Sequence, residues 1–387
     1  MTYQSNLSLE HLSLDIILRI SSFLSTPEIL NLSEGSKHLH DILFAIRFPD
    51  EISLSEIRSL PYIDSFTNVV CSKVKSRFPK FLQQLYWNSN EPIQFKLPDT
   101  ITHLYFQDDY NLALPQLPLS LIHLDTGIVF NQPLAQLPEK LQHLVLGRCY
   151  SYPLPTLPAS LVYLKLGTTS NCIIGQLPDN LTHLILVGRY KYPLPELPAS
   201  LSHLKLGIRY NHPLPKLPDT LSYLIMSRDY NLPLSLPCKL KSLALGPDYN
   251  QSLSLPDELA DLRLGRNYNQ PFTKLPASLL RLVLGYYYSQ LLPQLPDDLI
   301  HLDLGHWYDH PISQLPASLS TLKLGFWYCR YLPPLPYSLT HLEFKGSYHH
   351  YQHFPSLPES LRKLVVPESC PLPANLSTDL VVELIKN

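Results

Sequence analysis

This chain is poor in charge. Only 16% of its 387 residues are Asp, Glu, Lys or Arg, against about a quarter in an ordinary globular domain. Its 30 basic and 32 acidic side chains leave a net charge of −2, and no basic run interleaves with aromatics. The electrostatic footprint of nucleic-acid binding is therefore missing. Glycine is scarce at 13 residues, which argues against flexible low-complexity sequence even though proline reaches 38. No apolar run approaches the ~20 residues of a membrane-spanning helix, and MTYQSNLSLE lacks the basic start and apolar core of a secretion signal. These absences lead us to expect a cytoplasmic protein with no membrane contact. The six cysteines, Cys71, Cys149, Cys172, Cys238, Cys329 and Cys370, form no C-x-x-C and have no histidines at zinc spacing. They read as reduced structural thiols, with no metal or cofactor.

Catalytic signatures are missing too. There is no G-x-S-x-G, no H-E-x-x-H, no P-loop and no dinucleotide fingerprint. The segment after Val366, ending DLVVELIKN, is too short for a catalytic domain. We expect a chain that is not an enzyme.

What the sequence has in abundance is repetition. The dipeptide Leu-Pro begins at Leu97, Leu117, Leu137, Leu157, Leu177, Leu197, Leu217, Leu236, Leu255, Leu275, Leu295, Leu315, Leu335 and Leu357, at a spacing of 20 with departures to 19 and 22. Each marker introduces L-x-x-L-x-L-G, as in Leu201, Leu204, Leu206 and Gly207, and then Y-N-x-P-L, as in Tyr210, Asn211, Pro213 and Leu214. A frayed copy over Phe78–Trp87 precedes the first marker, giving about fifteen turns that end near Val366.

The spelling implies a shape. Leucines at period two mark a short strand with one buried face, and the glycine releases the chain from it. Too few residues remain for a helix, so the return leg must be extended and polyproline-like. No single turn can bury its own leucines, whereas stacked turns bury a continuous column. The expectation is a β-rich solenoid with one long parallel sheet and an extended, helix-poor convex side. Two ladders fit it: Asn111, Asn131, Asn171, Asn211, Asn231, Asn250 and Asn269 can satisfy open backbone groups at the bend. Tyr110 and its successors, with Phe130 as one substitute, can stack ring on ring.

The L-x-x-L-x-L core followed by Asn resembles a leucine-rich repeat, and the LPxSLxHLxLGxxYNxPL wording resembles the FNIP repeat over roughly residues 78–366. The resemblance implies a leucine-rich-repeat-like fold and a source in social amoebae or giant viruses of amoebae, hence the cytoplasm, that of the host cell if the source is viral.

Residues 8–45 follow a different grammar. Ser13 is placed to cap a helix running through Leu24, while Thr26-Pro27-Glu28 supplies a cap, a proline at the first position and an acid in the first turn. Gly35 should stop that second helix and Ser36 should cap a third. In the first helix Leu14, Ile17, Leu18 and Leu24 form one apolar stripe, and Ile16, Ile20 and Phe23 form another on the opposite side. Two short neighbours cannot bury both stripes.

Leu12, Asp15, Ile16, Ile20, Leu24, Pro27, Glu28, Ile29, Leu30, Leu32, Ser36 and Lys37 resemble an F-box, with Ser13 where that family has proline. The expected fold class is thus an α+β repeat protein: a three-helix F-box at 1–50, a transition and N-terminal cap at 51–77, the solenoid at 78–366 and a C-terminal cap at 367–387. The resemblance implies docking on a Skp-type adaptor of an SCF-type cullin-RING ubiquitin ligase through Leu12, Ile16, Ile20, Leu24, Pro27, Ile29 and Leu32. The repeats would hold an unidentified client, in a chain that is monomeric before assembly. The alternative is a protein-binding scaffold unrelated to ubiquitin, whose N-terminal helices only close the end of the solenoid.

Two surface columns compete as client sites. His103, His123, His143, Tyr163, His183, His203, Tyr223, His301 and His341 recur on the open sheet face and read as a stacked surface ladder rather than a metal or pH sensor. The two variable residues after the strand glycine become Tyr286-Tyr287, His306-Trp307 and Phe326-Trp327 in consecutive turns. Facing solvent, they would anchor a protein; facing inward, they would thicken the core. With His301 and Asp303 they form the candidate client site. Arg148, Arg189, Arg209, Arg228 and Arg266 hold the same variable sites in earlier turns, as a polar recognition strip or as solubilising charge.

Overall fold

A leucine followed by proline opens each coil. In the coil that starts at Leu197, the Pro198 carbonyl accepts from the Leu201 amide at 3.1 Å and closes a four-residue turn. The strand His203–Lys205 follows, with Leu204 facing inward. Gly207 then starts a second turn, closed by the Tyr210 amide on the Gly207 carbonyl at 3.3 Å, and the chain returns in extended form to the next Leu-Pro. The first turn recurs at Pro98/Ile101, Pro276/Leu279 and Pro358/Leu361.

The computed structural model describes residues 14–33, 43–72, 78–167, 173–346, 356–368, 372, 376 and 379–386. Leu12, Ser13, Gly35 and the expected third helix from Ser36 lie outside them, as do Cys172 and Cys370. The chain divides into two units, Met1–Leu161 and Val162–Asn387.

The first unit begins with α1 (Leu14–Ser21) and α2 (Thr26–Ser33), followed by the single-turn α3 (Leu54–Ile57) and a 3-10 turn at Ile63–Ser65. Its strands are β1 (Ile52–Ser53), β2 (Asn68–Cys71), β3 (Gln84–Trp87), β4 (His103–Phe106), β5 (His123–Asp125) and β6 (His143–Leu146). From β1 to β6 each described pairing is parallel and joins neighbours in sequence. The segment 51–77 therefore supplies two strands to the sheet. Phe48, Leu54, Ile57 and Phe66 are buried beside them.

The second unit holds twelve strands, from β7 (Tyr163–Leu166) to β18 (Val381–Ile385), again parallel and in sequence order. Equivalent repeat positions pair throughout: His203 with Tyr223, Leu204 with Leu224 and Lys205 with Ile225. Segment 367–387 contributes β18, paired with Lys363–Pro367. Among the described residues no helix interrupts the coils, as the repeat length requires.

The cores are columns. Leu201, Leu204 and Leu206 are buried, with their counterparts above and below. Tyr210, Tyr230, Tyr249, Tyr268 and Tyr288 stack inside the second unit at 6.2–6.3 Å between ring centroids. In the first unit Phe130 stands 6.2 Å from Tyr150 in the same way. The asparagines stitch coil to coil: Asn231 Oδ1 accepts from the Asn250 amide at 2.9 Å, and Asn250 Oδ1 from the Asn269 amide at 2.8 Å. Serine does the same at the Leu-Pro turn, where Ser200 Oγ lies 2.6 Å from the Asp179 carbonyl and 2.7 Å from that of Leu181. Glycine does more than release the strand. A Cβ on Gly265 would lie 1.8 Å from the Gly246 carbonyl oxygen, so at that point the two coils approach too closely for a side chain.

One helix signal is displaced by a residue. The cap of α2 is Ser25, not Thr26: Glu28 Oε2 accepts from the Ser25 amide at 2.8 Å and from Ser25 Oγ at 2.7 Å. The carboxylate reaching back to the cap amide makes a capping box, which outweighs the preference for proline at the first helical position. α1 ends at Ser21, three residues before the expected Leu24.

Candidate functional site

On the rim that follows the strands of the second unit, the variable pair after each glycine builds two adjoining aromatic columns. Tyr286, His306 and Phe326 stack nearly parallel, 4.2 Å and then 5.0 Å apart, with interplanar angles of 8° and 9°. Beside them Tyr287, Trp307 and Trp327 follow at 6.3 and 5.6 Å. The spacing comes from the backbone, because the Trp307 amide donates to the Tyr286 carbonyl and the Trp327 amide to that of His306. The rings face outward: Tyr286, Tyr287, Trp307 and Trp327 are 38–47% exposed. Arg266 closes one end, its guanidinium carbon 5.0 Å from the Tyr286 ring and 5.4 Å from that of Tyr287. Burial, then the neighbouring Lys345, lowers the pKa of His306.

His301 and Asp303 lie on the open face of the strand that feeds His306. Asp303 is already engaged. Its Oδ1 accepts from the Gly305 amide at 3.0 Å and from Lys345 Nζ at 2.6 Å. Burial, then Arg281, lowers the His301 pKa. The structure thus gathers the six rim aromatics into one patch and leaves His301 and Asp303 outside it on the strand face, where Asp303 pairs with Lys345 and Lys323 pairs with Glu343 at 2.6 Å.

The histidine ladder is stacked, as expected. In the second unit His183 lies 4.1 Å from His203, and His203 lies 4.4 Å from Tyr223. In the first, His123 lies 5.7 Å from His103 and 5.6 Å from His143. One feature escapes a single-sequence reading: Thr102, Thr182 and Ser202 hydroxyls sit 2.8–2.9 Å from Nδ1 of the histidine that follows each. The alternation of hydroxyl and imidazole was its only signal. Among the described residues, no cluster of three or more His, Cys, Asp or Glu has the arrangement to hold a metal ion.

At the N-terminus, Ile16 on α1 is 48% exposed and Phe23, just beyond it, 83%. Ile20 and Leu24 are half-buried and Pro27 is exposed. Ile29 is buried against its own unit, apart from that stripe.

Leu-rich parallel coils with extended returns, stacked in register, define the leucine-rich-repeat architecture. The FNIP Repeat family model matches residues 130–169. The chain has a leucine-rich-repeat-type fold, and residues 130–169 are similar to the FNIP repeat. Among solved structures it is similar to CroV588, described as a novel circular LRR protein, at 28% identity and a TM-score of 0.66. That match covers 84% of this chain but only 60% of CroV588. YopM from Yersinia enterocolitica WA-314 shares the fold at 24% identity and a TM-score of 0.56, over 82% of this chain and 75% of YopM. YopM from Yersinia pestis, described as a leucine-rich effector protein, is similar at 24% and 0.54, over 75% and 84%. No curated protein sequence matches the chain significantly. A rigid repeat scaffold of this type, with an exposed aromatic patch, is suited to binding protein. No helix among the described residues is long and apolar enough to cross a membrane.

Proposed function

We propose that this chain is the substrate-recognition subunit of an SCF-type cullin-RING ubiquitin ligase in the cytoplasm. Residues 14–33 dock on a Skp-type adaptor, and the aromatic rim of the second unit holds the client. Catalysis belongs to the partners. This chain is not an enzyme and supplies proximity between client and charged ubiquitin carrier.

The observation that carries the adaptor half is the apolar stripe of Ile16, Ile20 and Phe23, in which Ile16 and Phe23 are exposed and Ile20 is half-buried. A helix recruited only to close the sheet would turn such side chains inward. The start of the sheet already has other cover in Phe48, Leu54, Ile57 and Phe66. A second reading, a protein-binding scaffold whose helices belong to the fold alone, draws support from the burial of Ser21, Thr26 and Ile29.

Co-purification separates the two. The full chain should capture a Skp-type adaptor, and Ile16→Asp with Phe23→Asp should abolish capture while leaving the circular-dichroism spectrum unchanged. If the unmodified chain captures no adaptor, or the double variant captures as much, the ligase reading fails and the scaffold reading stands.

A further inference from the structure

Resting on the reading of the rim as the client surface, the next step concerns what chemistry that surface accepts. The rim sites of the second unit do not change at random along the stack. Four of the five coils from Arg189 to Arg266 carry an exposed arginine there, namely Arg189, Arg209, Arg228 and Arg266. The six stacked aromatics follow.

The arginines differ from the other cations nearby. Lys323 pairs with Glu343 at 2.6 Å, Lys345 with Asp303 at 2.6 Å and Arg330 with Asp309 at 2.9 Å. None of the four rim arginines has a carboxylate within ion-pair distance among the described residues. Asp229 and Asp248 share the rim, and Asp248 accepts a hydrogen bond from Asn267 at 3.1 Å, which leaves arginine in excess. Arg266 leans on the Tyr286 and Tyr287 rings, and all four guanidinium groups stand without a carboxylate partner; such a strip attracts carboxylates, and an exposed aromatic patch attracts apolar side chains.

Arginine beside aromatics also suits single-stranded nucleic acid, but bases need free ring faces on which to stack. Here the faces are spent on one another, at 4.2 and 5.0 Å in the inner column. The outer rings are tilted by 36° and 33° at 6.3 and 5.6 Å, so they offer no parallel series of faces to successive bases and suit the aliphatic and aromatic side chains of a polypeptide.

We infer that the rim from Arg189 to Trp327 receives an extended polypeptide segment, acidic over the arginines and apolar or aromatic over the ring columns. The register of the strands fixes its length. Seven successive strand pairings separate the coils of Arg189 and Trp327. At ~4.8 Å each they span ~34 Å, about ten residues of extended chain at ~3.3 Å per residue.

The test uses the full chain and fluorescence anisotropy with labelled twelve-residue peptides: a Glu-rich half joined to a Phe/Leu half, its Lys-for-Glu counterpart, and a twelve-nucleotide oligo(dT). The acidic–apolar peptide should bind, more weakly as salt rises, and the lysine peptide at least tenfold more weakly. Arg209→Glu with Arg228→Glu should cost at least tenfold and flatten the salt dependence; Trp307→Ala should cost about tenfold and leave that dependence intact. Equal binding of the two peptides, or tighter binding of oligo(dT), overturns the inference. If Trp307→Ala weakens binding while the arginine variants do not, the acidic half is wrong and the rim remains the client surface. If neither substitution matters, the rim reading itself falls.

Discussion

Two tyrosines in one buried column should respond with opposite sign to loss of the hydroxyl. Tyr210 donates to the Pro213 carbonyl at 3.3 Å and accepts from the Leu194 amide at 3.4 Å, and burial raises its pKa to about 12. Tyr268 occupies the equivalent site three coils along; its hydroxyl is buried and has no hydrogen-bond partner among the described residues. Tyr210→Phe removes a neutral hydrogen bond worth ~1 kcal/mol and strands a backbone amide, for a loss of about 1–2 kcal/mol. Tyr268→Phe removes only a desolvated hydroxyl, so it should be neutral or stabilise by up to ~1 kcal/mol. The ring stack survives in both, because Phe130 already occupies this column in the first unit without disturbing it. Both sites lie in the second unit, so urea denaturation followed by circular dichroism compares them within one transition, provided the m-values agree. If Tyr268→Phe loses as much as Tyr210→Phe, the hydroxyl has a partner and the reasoning fails.

Three further outcomes follow from the same geometry. Gly265→Ala, which drives a Cβ into the Gly246 carbonyl, should cost about 2–3 kcal/mol by denaturation, whereas Gly175→Ala, which meets open space, should cost little. Asn250→Ala withdraws the acceptor of the Asn269 amide and of Gln270 Nε2, so a loss of about 1–2 kcal/mol should appear, with faster hydrogen exchange at Asn269. Burial first, then the neighbouring imidazoles of His103 and His143, hold the His123 pKa down at about 4. Between pH ~6.5 and ~4 the unfolded chain takes up a proton that the folded chain refuses. Stability should therefore fall by about 1–2 kcal/mol as pH drops through that window, after allowance for solvent screening, and be flat above it. His123→Gln should make the fall shallower without abolishing it, because burial also lowers the pKa of His103, His203, His301, His306 and His341.

The coil was legible because its signals are local. Period-two leucines give the strand, Leu-Pro gives the turn, and a 20-residue unit excludes a helix; each survives unchanged from sequence to structure. Ser200 was visible only as a recurring letter, because its carbonyl partners lie 19 and 21 residues away and meet it only once coils stack in register. Gly207 was assigned to ending its strand, yet the pressure on it comes from the preceding coil: its Cβ would lie 2.3 Å from the Gly188 carbonyl oxygen. The cap at Ser25 was written in the S-x-x-E spacing, but Pro27 drew the reading to Thr26. At the rim, the G-x-x-Y spacing sends the tyrosine inward and leaves the direction of the two residues before it open. Only the structure decides that Trp307 and Trp327 face solvent.

This division of labour within the coil explains why recognition should concentrate on one edge. Leucine, tyrosine, asparagine and serine are consumed in holding one coil against the next, so substituting them for the sake of a partner would undo the stack. The outward strand positions look free, but in the second unit they are largely spent on one another: His183 on His203, His203 on Tyr223, Lys323 on Glu343, Lys345 on Asp303. A partner docking there would first have to break contacts the protein already makes. Arg189, Arg209 and Arg228 have no ion-pair partner to give up, and the aromatics beyond them stack without being covered. Coil by coil, the rim pair is the position that can change at least cost to the fold.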